Sequence, residues 1–157
     1  MTSVRIGYVD VHVVRSGASE ADLEFLLLRR APTARCPGAW ESVHGHVEPG
    51  ETPVDAAKRE VQEETGLEVT AWYNLSRCES FFLPRENTVA VIPSFAAVVP
   101  SGSEVRLGVE HDAHVWLAPA EARERYSWPR ERRALDDLWV LLRGGHAGPL
   151  EDVLRLC

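Results

Sequence analysis

Three glutamates, Glu60, Glu63 and Glu64, fall within five positions of one predicted helix. At about 100° per residue, Glu64 lies about 40° to one side of Glu60 and Glu63 about 60° to the other. The carboxylates therefore line the edge of the packed stripe formed by Val54, Ala57 and Val61. Carboxylates about 6 Å apart, at an effective dielectric near about 20, repel by roughly 3 kcal/mol per pair. A helix has no need of that repulsion. A divalent cation held by oxygen ligands would relieve it, and Mg²⁺ takes a few carboxylates while keeping positions for substrate phosphates.

The charge of the chain is concentrated at this place. The 157 residues carry a net charge of −7. Eight acids lie between Glu41 and Glu68 against only Lys58 and Arg59, so a net of −6 belongs to that stretch. Local acidity points to a cation site and away from duplex nucleic acid, which needs a basic footprint. The length suits one domain, residues 1–157, with a sizeable core. No basic leader with an apolar core and no apolar run near about eighteen residues is present, so neither secretion nor membrane spanning is expected. Cys36, Cys78 and Cys157 are odd in number and widely spaced; they read as free thiols of a reducing, cytoplasmic compartment.

The elements that must hold the glutamates follow from periodicity. Arg5 to Arg15 alternates, with Val9, Val11 and Val13 on one side and Asp10 and His12 on the other, which predicts a strand. Ser16 to Asp22 reads as a turn, and Glu24 to Arg30 as a second strand forming a hairpin with the first. A loop over Ala31 to Gly38 leads to a short strand, Trp40 to His44. The glutamate helix has clear ends: Thr52 as N-cap, Pro53 in the first turn, Asp55 in capping-box register and Gly66 as its left-handed stop. Leu67 to Leu83 and Asn87 to Val99 are strand-like, and Pro93 suggests a bulge or an edge. A short strand is expected at Glu104 to Leu107 and a last one at Ala113 to Leu117. Helices are expected at Pro119 to Arg125 and Arg130 to Arg143, the latter on Leu135, Leu138, Trp139 and Leu142. The mixed charges of Glu121 to Arg133 read as a solvated face. The pattern is a single α/β (α+β) domain, a mixed sheet with helices on both sides.

Gly45, then Glu51, then Arg59-Glu60-Val61-Gln62-Glu63-Glu64-Thr65-Gly66-Leu67 resembles the Nudix box, with every defining position filled. The resemblance implies an α/β/α sandwich in which this loop–helix–loop binds Mg²⁺ or Mn²⁺ and hydrolyses a pyrophosphate bond in a nucleoside diphosphate linked to another group. It implies Glu60 and Glu64 as principal metal ligands, Glu63 as a ligand directly or through water, and the Gly45 carbonyl as a further oxygen. Glu63, Glu60 and Glu64 are the catalytic candidates; Glu51 and Arg59 would hold each other and orient the site. A metal on phosphate oxygens neutralises charge on the leaving phosphate and lowers the pKa of an attacking water. Many members carry Gly-Gly where this chain has His44-Gly45, so His44 either faces substrate or packs in the turn.

A narrower likeness extends beyond the box. Trp40-Glu-Ser-Val, Glu110-His111 before Trp116-Leu117, and Ser127-Trp128 resemble the bacterial dihydroneopterin-triphosphate/dATP pyrophosphohydrolases. That likeness implies Glu110 as a metal ligand from a loop and Arg29 and Ser127 as substrate contacts. The expected substrate is a small nucleoside- or pterin-type triphosphate, with ADP-ribose, nucleotide sugars, dinucleoside polyphosphates or a non-catalytic sensing role as alternatives. A homodimer is common in the resembling families. His44 and His46 could form a transition-metal pair, but oxygen ligands dominate nearby. Phe81, Phe82 and Trp128 could stack on a ring or belong to the core.

Overall fold

The computed structural model describes residues 1–17 and 22–157; part of the turn expected at Ser16 to Asp22 lies outside the described residues. The chain runs β1 (Ser3–Ile6), β2 (Tyr8–Ser16), β3 (Leu23–Arg30), β4 (Trp40–Glu41), β5 (Val43–His46), α1 (Pro53–Thr65), β6 (Ala71–Leu83), β7 (Thr88–Val98), β8 (His111–Leu117), α2 (Pro119–Arg125), α3 (Pro129–Leu142) and α4 (Glu151–Leu154).

The strands form one mixed sheet. β7 pairs in parallel with β1 over Thr88–Val91 and with β2 over Ser94–Val98, and antiparallel with β6. β2 and β3 pair antiparallel as expected, β5 joins β2, and β4 and β8 join β3. The stretch expected as one strand from Arg5 to Arg15 is two strands interrupted at Gly7. Pro93 lies between the two parallel segments of β7, where its missing N–H costs no bond to β1 or β2, and a bulge in β6 sits beside it between Asn74 and Arg77.

Each face of the sheet carries its own core. Val9, Val11, Val13, Leu26, Leu28 and Val43 pack with Ala56, Ala57 and Val61 of α1. On the opposite face Val14, Phe25 and Leu27 pack with Leu135, Leu138 and Leu142 of α3. Each of the valine, leucine and phenylalanine side chains contributes roughly 1.5–3 kcal/mol on leaving water. The layers are those of the expected α/β/α sandwich. Among the described residues no helix is long and apolar enough to cross a membrane.

The ends of α1 are set locally. Thr52 is extended (φ −81°, ψ 155°); its Oγ1 accepts from the Asp55 N–H at 3.2 Å and donates to Asp55 Oδ2 at 2.6 Å. Such a cap is worth about 1 kcal/mol. Gly66 closes the helix at φ 65°, its N–H donating to the Gln62 carbonyl at 3.0 Å. The strand expected at Glu104 to Leu107 does not form. The N–H groups of Arg106 and Gly108 instead donate to the Thr65 and Glu64 carbonyls, at 2.8 and 3.3 Å. Val105 and Leu107 pack on the core beside α1. The segment that leads to Glu110 is thereby anchored on the C-terminal end of the glutamate helix.

Candidate active site

A cleft of about 890 Å³ brings together Gly45, Glu60, Glu63, Glu64 and Glu110. α1 supplies three of the carboxylates. Glu60 and Glu64 are buried, 8 % and 4 % exposed, whereas Glu63 stands out in solvent. β5 supplies Gly45, and the anchored segment after β7 supplies Glu110. Arg59 ties the loop to the helix: Nε donates to Glu51 Oε1 at 2.8 Å, Nη2 to Glu51 Oε2 at 3.0 Å and to the His46 carbonyl at 2.9 Å. Its Nη1 also reaches Glu60 Oε1 at 2.7 Å and Glu63 Oε2 at 3.3 Å. The Arg59 guanidinium and the Glu48 N–H hold the Glu51 carboxyl down at about 2.

The donor set suits a hard divalent cation. Both carboxylate oxygens of Glu64 are buried with no hydrogen-bond partner among the described residues, an arrangement that is costly unless something else satisfies them. Burial raises the Glu64 carboxyl well above the usual range, and the charges of Glu60, Glu41 and Glu110 add to it. Burial likewise raises Glu60, with Arg59 opposing. A Cβ on Gly45 would stand 2.0 Å from Glu60 Cδ, so only glycine lets the backbone approach that carboxylate. Among the described residues no three acidic, histidine or cysteine side chains are already drawn into a coordination set, and Glu60 turns to Arg59. Mg²⁺ or Mn²⁺ fits such oxygens better than a softer metal, and would supply charge neutralisation at phosphate oxygens.

Behind this floor lies an ionic cluster that the sequence concealed. Asp10 and His12 alternate with the valines of β2 on the other side of the strand, and both are buried, 1 % and 0 % exposed. The face they occupy is covered by α3. Asp10 Oδ1 accepts from His44 Nδ1 at 2.6 Å, and Arg130 Nε donates to Asp10 Oδ2 at 2.8 Å. Burial pushes Asp10 up, but His44 and Arg130 outweigh it and hold the carboxyl far below its ordinary range. His44 is raised: burial opposes its charge and Asp10 more than compensates. Glu131 is fully buried, accepts from the Ser42 N–H, and is pushed up to about 8 by burial and by Asp10. His12 bonds the Tyr126 hydroxyl at 3.1 Å, and burial lowers it to about 4. The solvated face expected for Glu121 to Arg133 is thus corrected at Arg130 and Glu131. Charge alternation on a helix marks a wet face only when no buried partner awaits it; here Asp10 awaits Arg130 and the Ser42 N–H awaits Glu131.

Two expected substrate contacts are not brought to the cleft. Arg29 Nε pairs with Asp112 at 2.8 Å, its guanidinium 5.8 Å from the Trp40 ring centroid. Ser127 Oγ accepts from the Trp40 N–H at 3.1 Å, and its own N–H donates to the Trp40 carbonyl at 3.0 Å. Neither lines the cleft; Arg30, Arg35, His44 and Trp128 do. Arg30 Nη1 and His111 Nε2 both bond Glu41 Oε1, at 2.8 and 2.9 Å. Burial pushes the Glu41 carboxyl up, and these bonds more than offset it, leaving it lowered. Glu41, at the end of β4, also lines the cleft, and the sequence marked it only as the first of the eight clustered acids and the glutamate of Trp40-Glu-Ser-Val. Phe81 is half-buried and lines the cleft, while Phe82 is 52 % exposed.

The NUDIX domain family model matches residues 9–138. An octanoyltransferase of Myxococcus xanthus is 39 % identical over 119 residues, 74 % of this chain but 32 % of that protein, so the chain spans about a third of that relative's length. The asymmetrical bis(5'-nucleosyl)-tetraphosphatase of Sus scrofa is 37 % identical over 126 residues, 79 % of each chain. The structure of the Escherichia coli dihydroneopterin triphosphate pyrophosphohydrolase superposes with a TM-score of 0.65 at 24 % identity, covering 89 % of this chain and 99 % of that one, a shared fold. With the box filled, the sandwich formed and the match running through most of its length, the chain belongs to the NUDIX domain family.

Proposed function

We propose that the protein is a Mg²⁺- or Mn²⁺-dependent pyrophosphohydrolase of small nucleoside- or pterin-type triphosphates, releasing a monophosphate and pyrophosphate. The observation that carries this reading is Glu64: two buried, unpartnered carboxylate oxygens beside Glu60 and the Gly45 backbone on the floor of an open cleft. Glu60, Glu64 and the Gly45 carbonyl would hold the cation, with Glu63 and Glu110 completing the set. When bound, the cation supplies Lewis-acid neutralisation of the phosphate oxygens and acidifies the attacking water. Glu63 or Glu110, the exposed carboxylates of that set, would accept a proton from an attacking water. Arg59 and Glu51 keep the loop and the helix in register. Phosphate contacts fall to Arg30 and Arg35, on the cleft wall, in place of Arg29.

A second reading, cleavage of a dinucleoside polyphosphate, draws support from the 37 % identity to the tetraphosphatase. One experiment separates the two. ATP, dihydroneopterin triphosphate and diadenosine tetraphosphate are incubated with Mg²⁺ and the products identified. Monophosphate plus pyrophosphate from a triphosphate supports the first reading; selective conversion of the tetraphosphate to ATP and AMP supports the second. No cleavage of any phosphoanhydride in Mg²⁺ or Mn²⁺ contradicts both.

A further inference from the structure

Beside the carboxylate floor the same cleft carries aromatic surface of a different chemistry. Tyr8 of β2 and Phe81 of β6 meet there with ring centroids 5.5 Å apart, and Tyr8 also stacks on His44 at 5.2 Å with 13° between the planes. Trp128, at the entry to α3, lines the same cleft, is 37 % exposed, and carries the Arg130 guanidinium 5.2 Å from its ring centroid. None of Tyr8, Phe81 and Trp128 belongs to either core cluster among the described residues. Large rings that leave water only partly, in a cleft, without packing into a core, offer apolar flat surface to something else.

A polar group borders this surface. Glu79 lies two residues before Phe81 on the same face of β6 and also lines the cleft. Arg77 Nε donates to its Oε1 at 2.7 Å and Arg133 Nη2 to its Oε2 at 3.3 Å. Arg77 Nη2 also stands 2.6 Å from Oε1, so the two guanidinium partners fix the carboxylate in place and Oε2 keeps a lone pair for a further donor. An acceptor held at the rim of an aromatic surface reads N–H groups on the edge of a flat ring.

We propose that Tyr8, Phe81 and Trp128 form a ring-binding subsite for the nucleobase of the substrate, and that Glu79 accepts a hydrogen bond from an exocyclic amino group on that base. The assignment rests on the reading of the carboxylate floor as a phosphoanhydride site, and it narrows the substrate class to phosphoanhydrides that carry a flat, amino-bearing ring, an amino-bearing nucleobase first among them. Diphosphates of ringless alcohols or sugars, and inorganic polyphosphate, would leave the aromatic surface unused.

The test is calorimetric binding, in Mg²⁺, of three monophosphates that carry no cleavable anhydride: AMP, purine riboside 5'-monophosphate, which lacks only the amino group, and ribose 5-phosphate. AMP is expected to bind at least about tenfold tighter than ribose 5-phosphate, with Phe81→Ala and Trp128→Ala each weakening AMP roughly tenfold and leaving ribose 5-phosphate as it was. AMP should exceed purine riboside 5'-monophosphate by about tenfold, and Glu79→Met should erase that preference. Equal affinity for AMP and ribose 5-phosphate, or AMP binding untouched by both aromatic variants, overturns the subsite. Equal affinity for the two purines overturns the role of Glu79. Loss of all turnover with the AMP discrimination intact would remove the hydrolase reading alone; turnover without discrimination would remove the subsite alone.

Discussion

The backbone of Gly45 and the carboxyl group of Glu60 are in such close approach that a Cβ at position 45 would stand 2.0 Å from Glu60 Cδ and 2.2 Å from its Oε1. The glycine is required here for space, since its φ lies outside the left-handed region. Gly45→Ala must therefore push away the carboxylate that faces the proposed cation. A displacement of about 1 Å at a reacting centre can cost roughly 100-fold in rate. The variant is expected to lose about that much metal-dependent turnover while keeping its circular dichroism spectrum. Turnover near wild type would mean that Glu60 does not need its present position.

Cation binding should be visible without any substrate. A ligand that binds only the folded state stabilises it by about 2.7 kcal/mol when present at about 100 times its dissociation constant. For a chain of this size each kcal/mol raises the melting temperature by roughly 2–4 °C. Thermal unfolding of the wild type should therefore shift upward by several degrees in saturating Mg²⁺ or Mn²⁺. Glu60→Gln should lose most of that shift. An equal shift in wild type and variant would place the cation elsewhere.

Glu131 predicts a pH dependence of stability that belongs to the ionic cluster behind the site. Its carboxyl, pushed up to about 8 from an ordinary 4.5, means that the folded protein holds more protons between those limits. Its contribution to stability is therefore complete below pH 4.5 and is lost as pH rises toward 8. Asp10 acts only below its ordinary 3.8, where acid removes the stability its depressed carboxyl confers. His12, lowered from 6.5 to about 4, acts in the opposite sense to Glu131 below pH 6.5. The window from 6.5 to 8 isolates Glu131 from both. His44, raised, adds a loss of the same sign that remains in the variant. Glu131→Gln, which keeps an acceptor for the Ser42 N–H, should remove about 1–2 kcal/mol of stability loss between pH 6.5 and 8 in denaturant titrations. Parallel pH curves for the two proteins would contradict this.

Much of this architecture was legible in the chain because its signals are local. Thr52, Pro53 and Gly66 bound the helix within one turn at each end, and the glutamate spacing sets one helical edge without reference to anything distant. The valines of β2 and the leucines of β3 and α3 announced a sheet with a helix on each side. What stayed hidden depends on contacts between residues far apart. Asp10 and Arg130 meet across 120 positions, and either alone looks like a surface charge. Glu104 to Leu107 has the alternation of a strand, but its amides found the free carbonyls at the end of α1 before any strand edge. The same holds at the site: Arg29 and Arg30 are adjacent and alike, and alternation along β3 decides which of them reaches the cleft. Phe81 and Trp128 could be read as core, the commoner place for such rings, or as ring-binding surface, because only the packing separates those cases.

The most direct test of the metal site is turnover of Glu64→Gln in Mg²⁺, measured beside its circular dichroism and melting temperature. Glutamine matches the shape of Glu64 and removes the buried charge that no neighbour satisfies. The expected result is loss of metal-dependent phosphoanhydride hydrolysis in a protein that folds as well as the wild type. Unchanged hydrolysis by the folded variant would contradict the assignment of the carboxylate floor as the catalytic centre.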